Sequence, residues 1–239
     1  MHEDVYKQLA AKDKISWDGQ TDPKELFNHE INQAIGEKLP EFFNSYEGLC
    51  AVDLGTGTGT CALNLAKLGF KVRGFDLSET AIGLAKENAK ALGVEASFEV
   101  SDITKIVTTD KVDLVVDSSL LHCLVYKEDR NNFFRVAHDL LKDEGLLFLH
   151  TMIEAKDMSE MLDRDYLVYE DHILYSTGPD RWEMDWQEVQ GKRVFPHRWI
   201  TTIDLLTEEV RRAGFKIVHS KLEPQERSTG TLCAWLKKI

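Results

Sequence analysis

Ala51-Val-Asp-Leu-Gly-Thr-Gly-Thr-Gly-Thr60 is the stretch whose reading decides the fold. Residues 49–54 form an apolar run of strand length, interrupted only by Asp53. Gly55, Gly57 and Gly59 then turn the chain, and residues 61–68 repeat apolar positions at helical spacing before Gly69 stops them. A strand, a glycine loop and a helix in that order grip a nucleotide-like ligand at the carboxyl end of a parallel sheet. Glycines permit the tight turn and leave no Cβ to hold the ligand off the backbone. A dinucleotide fingerprint counted from Gly55 needs Gly or Ala at position 60, where Thr60 stands. The pattern is instead Asp53-x-Gly55-x-Gly57-x-Gly59.

The same rhythm continues downstream. Residues 70–76 read as a second strand ending in Asp76, 21 residues beyond Gly55 (76 − 55 = 21), a distance that suits a carboxylate accepting from both ribose hydroxyls. Ser78 caps a helix with Ile82, Ala85, Ala89 and Leu92 on its apolar face, closed by Gly93. Residues 96–100, 112–117 and 146–150 read as the third, fourth and fifth strands. An amphipathic helix over 128–141, ended by Gly145, separates the last two. Thr202 caps a final helix that stops at Gly214. Residues 215–220 and 231–236 follow with no helix between them, which makes them antiparallel neighbours.

Two segments stand outside the alternation. Residues 1–48 are a helical lead-in, with Asp22-Pro23 as a helix start and Pro40 as a break or a second start. Trp17 lies in a polar loop, where it either covers a site or packs the lead-in onto the domain. Residues 151–200 are dense in aromatic and charged side chains, including Tyr166, Tyr169, Tyr175, Trp182, Trp186 and Trp199. An insert of that length is not a bare loop. It reads as a lid over a substrate site, with short strands at 166–168, 173–176 and 193–195, or as an ordinary packing subdomain.

Length and composition bound the rest. The 239 residues, 43% of them hydrophobic, suit a single domain spanning 1–239. The formal charge of −12 argues against a nucleic-acid substrate, which needs clustered Lys and Arg. No apolar run is long enough to span a bilayer, and residues 1–20 are too charged for a signal peptide. Cys50, Cys61, Cys123 and Cys233 show no C-x-x-C spacing, so free thiols in a reducing cytoplasm are expected. His and acidic residues form no metal-ligand pattern. None of the six tyrosines has Lys four residues later, which excludes the short-chain oxidoreductase pattern.

From Val52 to Met152 the chain resembles the class I S-adenosylmethionine (SAM) dependent methyltransferases. More narrowly, Ser16-Trp-Asp-Gly-Gln20 and Val116-Asp-Ser-Ser-Leu-Leu-His-Cys-Leu124 are similar to the thiopurine and tellurite-resistance type of small-molecule methyltransferase. The resemblance implies a Rossmann-like, mostly parallel seven-stranded α/β sheet with its last strand antiparallel, helices on both faces and an insert after the fifth strand. It implies SAM as cofactor, held by Asp53, Gly55, Thr56, Gly57 and Gly59, by Asp76 and Leu77, by Asp102 and Ile103 at the adenine, and by Asp117 and Trp17. His122 and Asp117 are the candidate catalytic residues. The implied activity is methyl transfer to a small-molecule acceptor. A protein acceptor and a SAM-binding protein without catalysis are the alternatives.

Overall fold

The computed structural model describes residues 2–107, 109–179, 184–223 and 228–239. The chain forms two compact units. The first runs up to Ser118 and includes 136–148; the second comprises 119–135 and 149–239.

The first unit contains α1 (His2–Ala10), α2 (Glu30–Phe42), β1 (Cys50–Leu54), α3 (Thr60–Leu68), β2 (Lys71–Asp76), α4 (Glu79–Leu92), β3 (Ser97–Val100) and β4 (Val112–Ser118). β1 pairs in parallel with both β2 and β4, and β2 with β3. Ala51, Val52 and Leu54 are fully enclosed, as a strand covered on both faces must be. α5 (Lys127–Leu140) and β5 (Leu141–Ile153) carry the chain between the units. The second unit adds α6 (Ser159–Leu162), β6 (Leu167–Glu170), β7 (Ile173–Ser176), β8 (Gln187–Val189), β9 (Lys192–Trp199), α7 (Ile203–Arg212), β10 (Phe215–Glu223) and β11 (Gly230–Lys238).

The main sheet has seven strands in the order β10-β11-β5-β4-β1-β2-β3, with β10 antiparallel to β11. The strand order reverses between β1 and β4, and open α/β sheets bind ligands at the carboxyl ends of the strands flanking such a switch. Among the described residues no helix is long and apolar enough to cross a membrane.

Local chemistry explains the boundaries. Ser78 Oγ accepts from the Ala81 N–H and starts α4, and Thr202 does the same for Leu205 at α7. Gly69 and Gly93 end α3 and α4 in the left-handed conformation. Asp22-Pro23 does start a helix, a short 3-10 one, Pro23–Asn28, and α2 begins separately behind His29, whose Nδ1 accepts from Ile31 N–H. Two expectations are corrected. Pro40 lies inside α2 near its end; it cannot donate to the Gly36 carbonyl, and the helix stops two residues later at Phe42. Gly145 ends no helix. Its φ is not positive, and β5 already runs from Leu141; a Cβ there would lie 2.9 Å from Leu141 Cδ2, so glycine serves space.

The insert is more regular than its sequence suggests. β6, β7, β9 and β8 form a four-stranded sheet in that order, with antiparallel pairing throughout. Val168, Tyr175, Val189 and Val194 make one small core; Met158, Met161, Leu167, Leu174 and Ile200 make another. Trp182 lies outside the described residues. All four cysteines are free; Cys61 and Cys233 are buried, Cys50 and Cys123 only partly so.

Arg130 on α5 organises the second unit. Its guanidinium donates to both carboxylate oxygens of Glu209 at 3.1 and 3.0 Å and to the carbonyls of Leu124 and Val125 at 3.1 and 2.6 Å, and it sits 3.8 Å from the Trp199 ring centroid. The residue is only 5% exposed. Removing one partner of a buried ion pair leaves the other charge uncompensated, at about 3–5 kcal/mol. Arg130→Met should therefore lower the stability seen in urea unfolding by about that much. Arg130→Met combined with Glu209→Leu should recover part of the loss.

Candidate functional site

The loop from Gly55 to Gly59 is held from behind by a buried carboxylate. Asp53 is fully enclosed at the end of β1; one oxygen accepts from Thr56 Oγ1 and the other from Ser118 Oγ, both at 2.9 Å. Burial outweighs these hydrogen bonds and pushes its pKa up to about 6. Asp53 thus ties the glycine loop to the end of β4. Gly74 on β2 leaves the loop room: a Cβ there would stand 2.6 Å from Thr56 Oγ1.

Asp76 closes the front of the loop. Its Oδ2 accepts from Gly57 N–H and its Oδ1 from Ser78 N–H, each at 2.9 Å. Burial raises its pKa, opposed by those backbone donors. An ionised carboxylate has about four lone-pair sites, so acceptor capacity is left beyond the backbone donors. Leu77 beside it is 73% exposed. Asp102 caps the 3-10 turn Ile103–Lys105: Oδ1 accepts from Thr104 N–H and Oγ1, and Oδ2 pairs with Lys105 at 2.7 Å. The Lys105 ammonium holds that carboxyl below the usual range. Ile103 is buried. Asp117, also buried, is the register partner of Leu54. Burial and the charges of Asp53 and Asp117 push the Cys61 thiol well up, which keeps it inert.

The lead-in lies across this loop, through residues the sequence did not single out. A Cβ on Gly57 would meet the Tyr6 hydroxyl at 2.7 Å, so α1 rests on the glycine itself. Glu3 fastens α1 to the start of α4, accepting from Ser78 Oγ, from Thr80 N–H at 3.3 Å and from Thr80 Oγ1 at 2.7 Å. Asn88 Nδ2 bridges the carbonyls of Ile15 and Thr58 at 3.1 and 3.0 Å. Trp17 packs edge-on to Tyr6 and His2 and remains 45% exposed. No periodicity marks Glu3 or Tyr6; a hydrogen-bonding residue on a short helix carries no local signal of its distant partner.

The second unit holds the other polar cluster. His122, on the turn Leu121–Cys123, is buried with Nδ1 3.4 Å from both Thr151 Oγ1 and Met152 N. Ser119 Oγ lies 2.7 Å from His150 Nδ1.

Residues 46–197 match the family described as a methyltransferase domain. The chain belongs to that family, the class I SAM-dependent methyltransferases. Enzymes of this class take their methyl group from SAM. Over 130 residues the chain is 31% identical to a ribosomal protein L11 methyltransferase from Dictyoglomus turgidum, covering 54% of this chain and 40% of that one. Over 145 residues it is 27% identical to a ubiquinone biosynthesis O-methyltransferase from Glaesserella parasuis, covering 58% and 59%. The chain thus spans less than two thirds of either relative. The fold superposes with a TM-score of 0.65 on an S-adenosylmethionine-dependent methyltransferase from Clostridium acetobutylicum, at 16% identity and 98% coverage of both chains.

Two outcomes follow from the loop geometry. Hydrogen bonds to a charged group contribute about 1.5–3 kcal/mol each. As a test of Asp76 as the ribose carboxylate, Asp76→Ala should weaken S-adenosylhomocysteine binding in calorimetry by at least about tenfold. Glu3 is drawn down to about 2: burial pushes it up, but the donors on Ser78 and Thr80 and the neighbouring Lys7 outweigh that. A depressed carboxyl contributes above its unfolded value and loses that contribution as pH falls through its folded one. Amide hydrogen exchange in α1 should accordingly be faster in Glu3→Gln than in the parent at neutral pH. The two proteins should converge as pH approaches 2.

Proposed function

We propose that this methyltransferase moves the SAM methyl group to a small, largely apolar or aromatic molecule. The observation that carries the reading is the insert: β6, β7, β8 and β9 build a separate four-stranded sheet with its own apolar cores, in a stretch of sequence rich in Tyr and Trp. Such side chains line small-molecule pockets, and a Rossmann-like domain needs no such addition to hold its cofactor. The net charge of −12 works against a nucleic-acid acceptor. The name of the Glaesserella relative points toward a quinone-pathway acceptor, that of the Dictyoglomus relative toward a protein.

In this reading Gly55, Thr56, Gly57 and Gly59 face the cofactor with backbone. Asp76 takes the ribose hydroxyls, with Leu77 beside them; Asp102 and Ile103 take the adenine. Asp53 supports the loop from below, Asp117 stands beside Leu54 at the end of β4 as a catalytic candidate with His122, and Trp17 with Tyr6 closes the lead-in over the loop. The donor is already a sulfonium, so the protein's work is to align nucleophile, methyl and sulfur in a site without water. Free cysteines suit a reducing cytoplasm.

The test is conversion of SAM to S-adenosylhomocysteine against a panel of phenols, thiols, aromatic amines and quinols, alongside ribosomal protein L11 and bulk RNA. Turnover is expected with one or more of the small molecules. Activity confined to the protein or the RNA would overturn the acceptor class.

A further inference from the structure

Two adjacent serines end β4, and they do different things. Ser118 turns its hydroxyl to Asp53. Ser119 holds a left-handed backbone, φ +74°, which a residue with a Cβ adopts only when its surroundings impose it. Its Oγ lies 2.7 Å from Nδ1 of His150 on β5, 31 residues away. Ser119 is partly exposed; the imidazole is only 8% exposed. The hydroxyl of a partly exposed residue thereby stands against a buried imidazole. His122, the histidine the sequence favours, is placed differently. Its Nδ1 receives the Met152 N–H, so that lone pair is engaged by backbone.

We propose that Ser119 and His150 form a proton relay that activates a hydroxyl or amine acceptor. The proposal rests on the small-acceptor reading and narrows it to protic nucleophiles. As the acceptor's X–H bond breaks, its proton passes to Ser119 Oγ while the serine proton passes to His150 Nδ1. The freed electron pair on X attacks the methyl carbon. The carbon–sulfur bond breaks toward sulfur, leaving neutral S-adenosylhomocysteine, methylated acceptor and an imidazolium that later returns its proton to water. The positive charge of the sulfonium ends on His150. A thiol that ionises near neutral pH needs no such relay.

The test compares the parent with Ser119→Gly, which keeps the left-handed backbone free of strain, and with His150→Gln. Each is assayed with SAM on phenol and on thiophenol by S-adenosylhomocysteine release. Loss of a general base costs typically 10²–10⁴-fold. Both variants should fall by about 10²-fold or more on phenol and by less than about threefold on thiophenol. Equal losses on the two acceptors, or none on phenol, would overturn the relay. If the parent methylates neither compound, that failure falls on the acceptor reading, and the relay is judged separately. Nitrogen-15 NMR of the full chain loaded with S-adenosylhomocysteine should show His150 Nδ1 unprotonated and hydrogen-bonded, with its shift moving in Ser119→Gly. A protonated Nδ1 at neutral pH, or a shift unmoved by Ser119→Gly, would overturn it.

Discussion

The first unit depends on one carboxylate removed from water. Asp53 at the end of β1 is held by Thr56 on one side and Ser118 on the other. A charge in that position is expensive unless its oxygens are satisfied, so the loop conformation and the end of β4 are constrained together. Those two hydroxyls act together with the Gly55 and Thr56 N–H groups, which donate to the Phe75 carbonyl, and the loop they shape delivers Gly57 N–H to Asp76.

That constraint sets the division of labour among the acids. Asp53 is engaged on both oxygens and shapes the backbone. Asp76 is bound only by backbone N–H groups and keeps acceptor capacity. Asp102 is tied to Thr104 and Lys105, which orient its carboxylate. Four acids that look alike in the sequence, with Asp117, therefore differ in what each can offer a ligand.

The second unit solves a different problem. Its sheet is small and antiparallel, with cores too small to stand alone as a domain. Arg130 joins α5, the preceding turn and α7 through charge-assisted bonds while covering Trp199. The Ser119–His150 contact belongs to the same unit.

The alternation of strands, glycine turns and amphipathic helices was legible residue by residue because each rests on local chemistry. Apolar periodicity, Ser78 and Thr202 as caps, and Gly69 and Gly93 as stops act within a few positions of themselves. The spacing from Gly55 to Asp76 belongs to the same class, since one strand–helix–strand unit determines it. Three of the insert's four strands were legible as short apolar or aromatic runs, but β8, the pairing order of that sheet, the role of Gly145 and the course of the chain at Pro40 were not, because space and non-local pairing decide them. The contacts of Glu3 with Ser78 and Thr80, of Arg130 with Glu209 and of Ser119 with His150 join residues 75–77, 79 and 31 positions apart. No single-residue propensity encodes such a meeting. The sequence by itself determined which elements form and where the glycine loop lies, because those rest on local chemistry; only tertiary packing decided which side chains close over that loop and which histidine meets a serine hydroxyl.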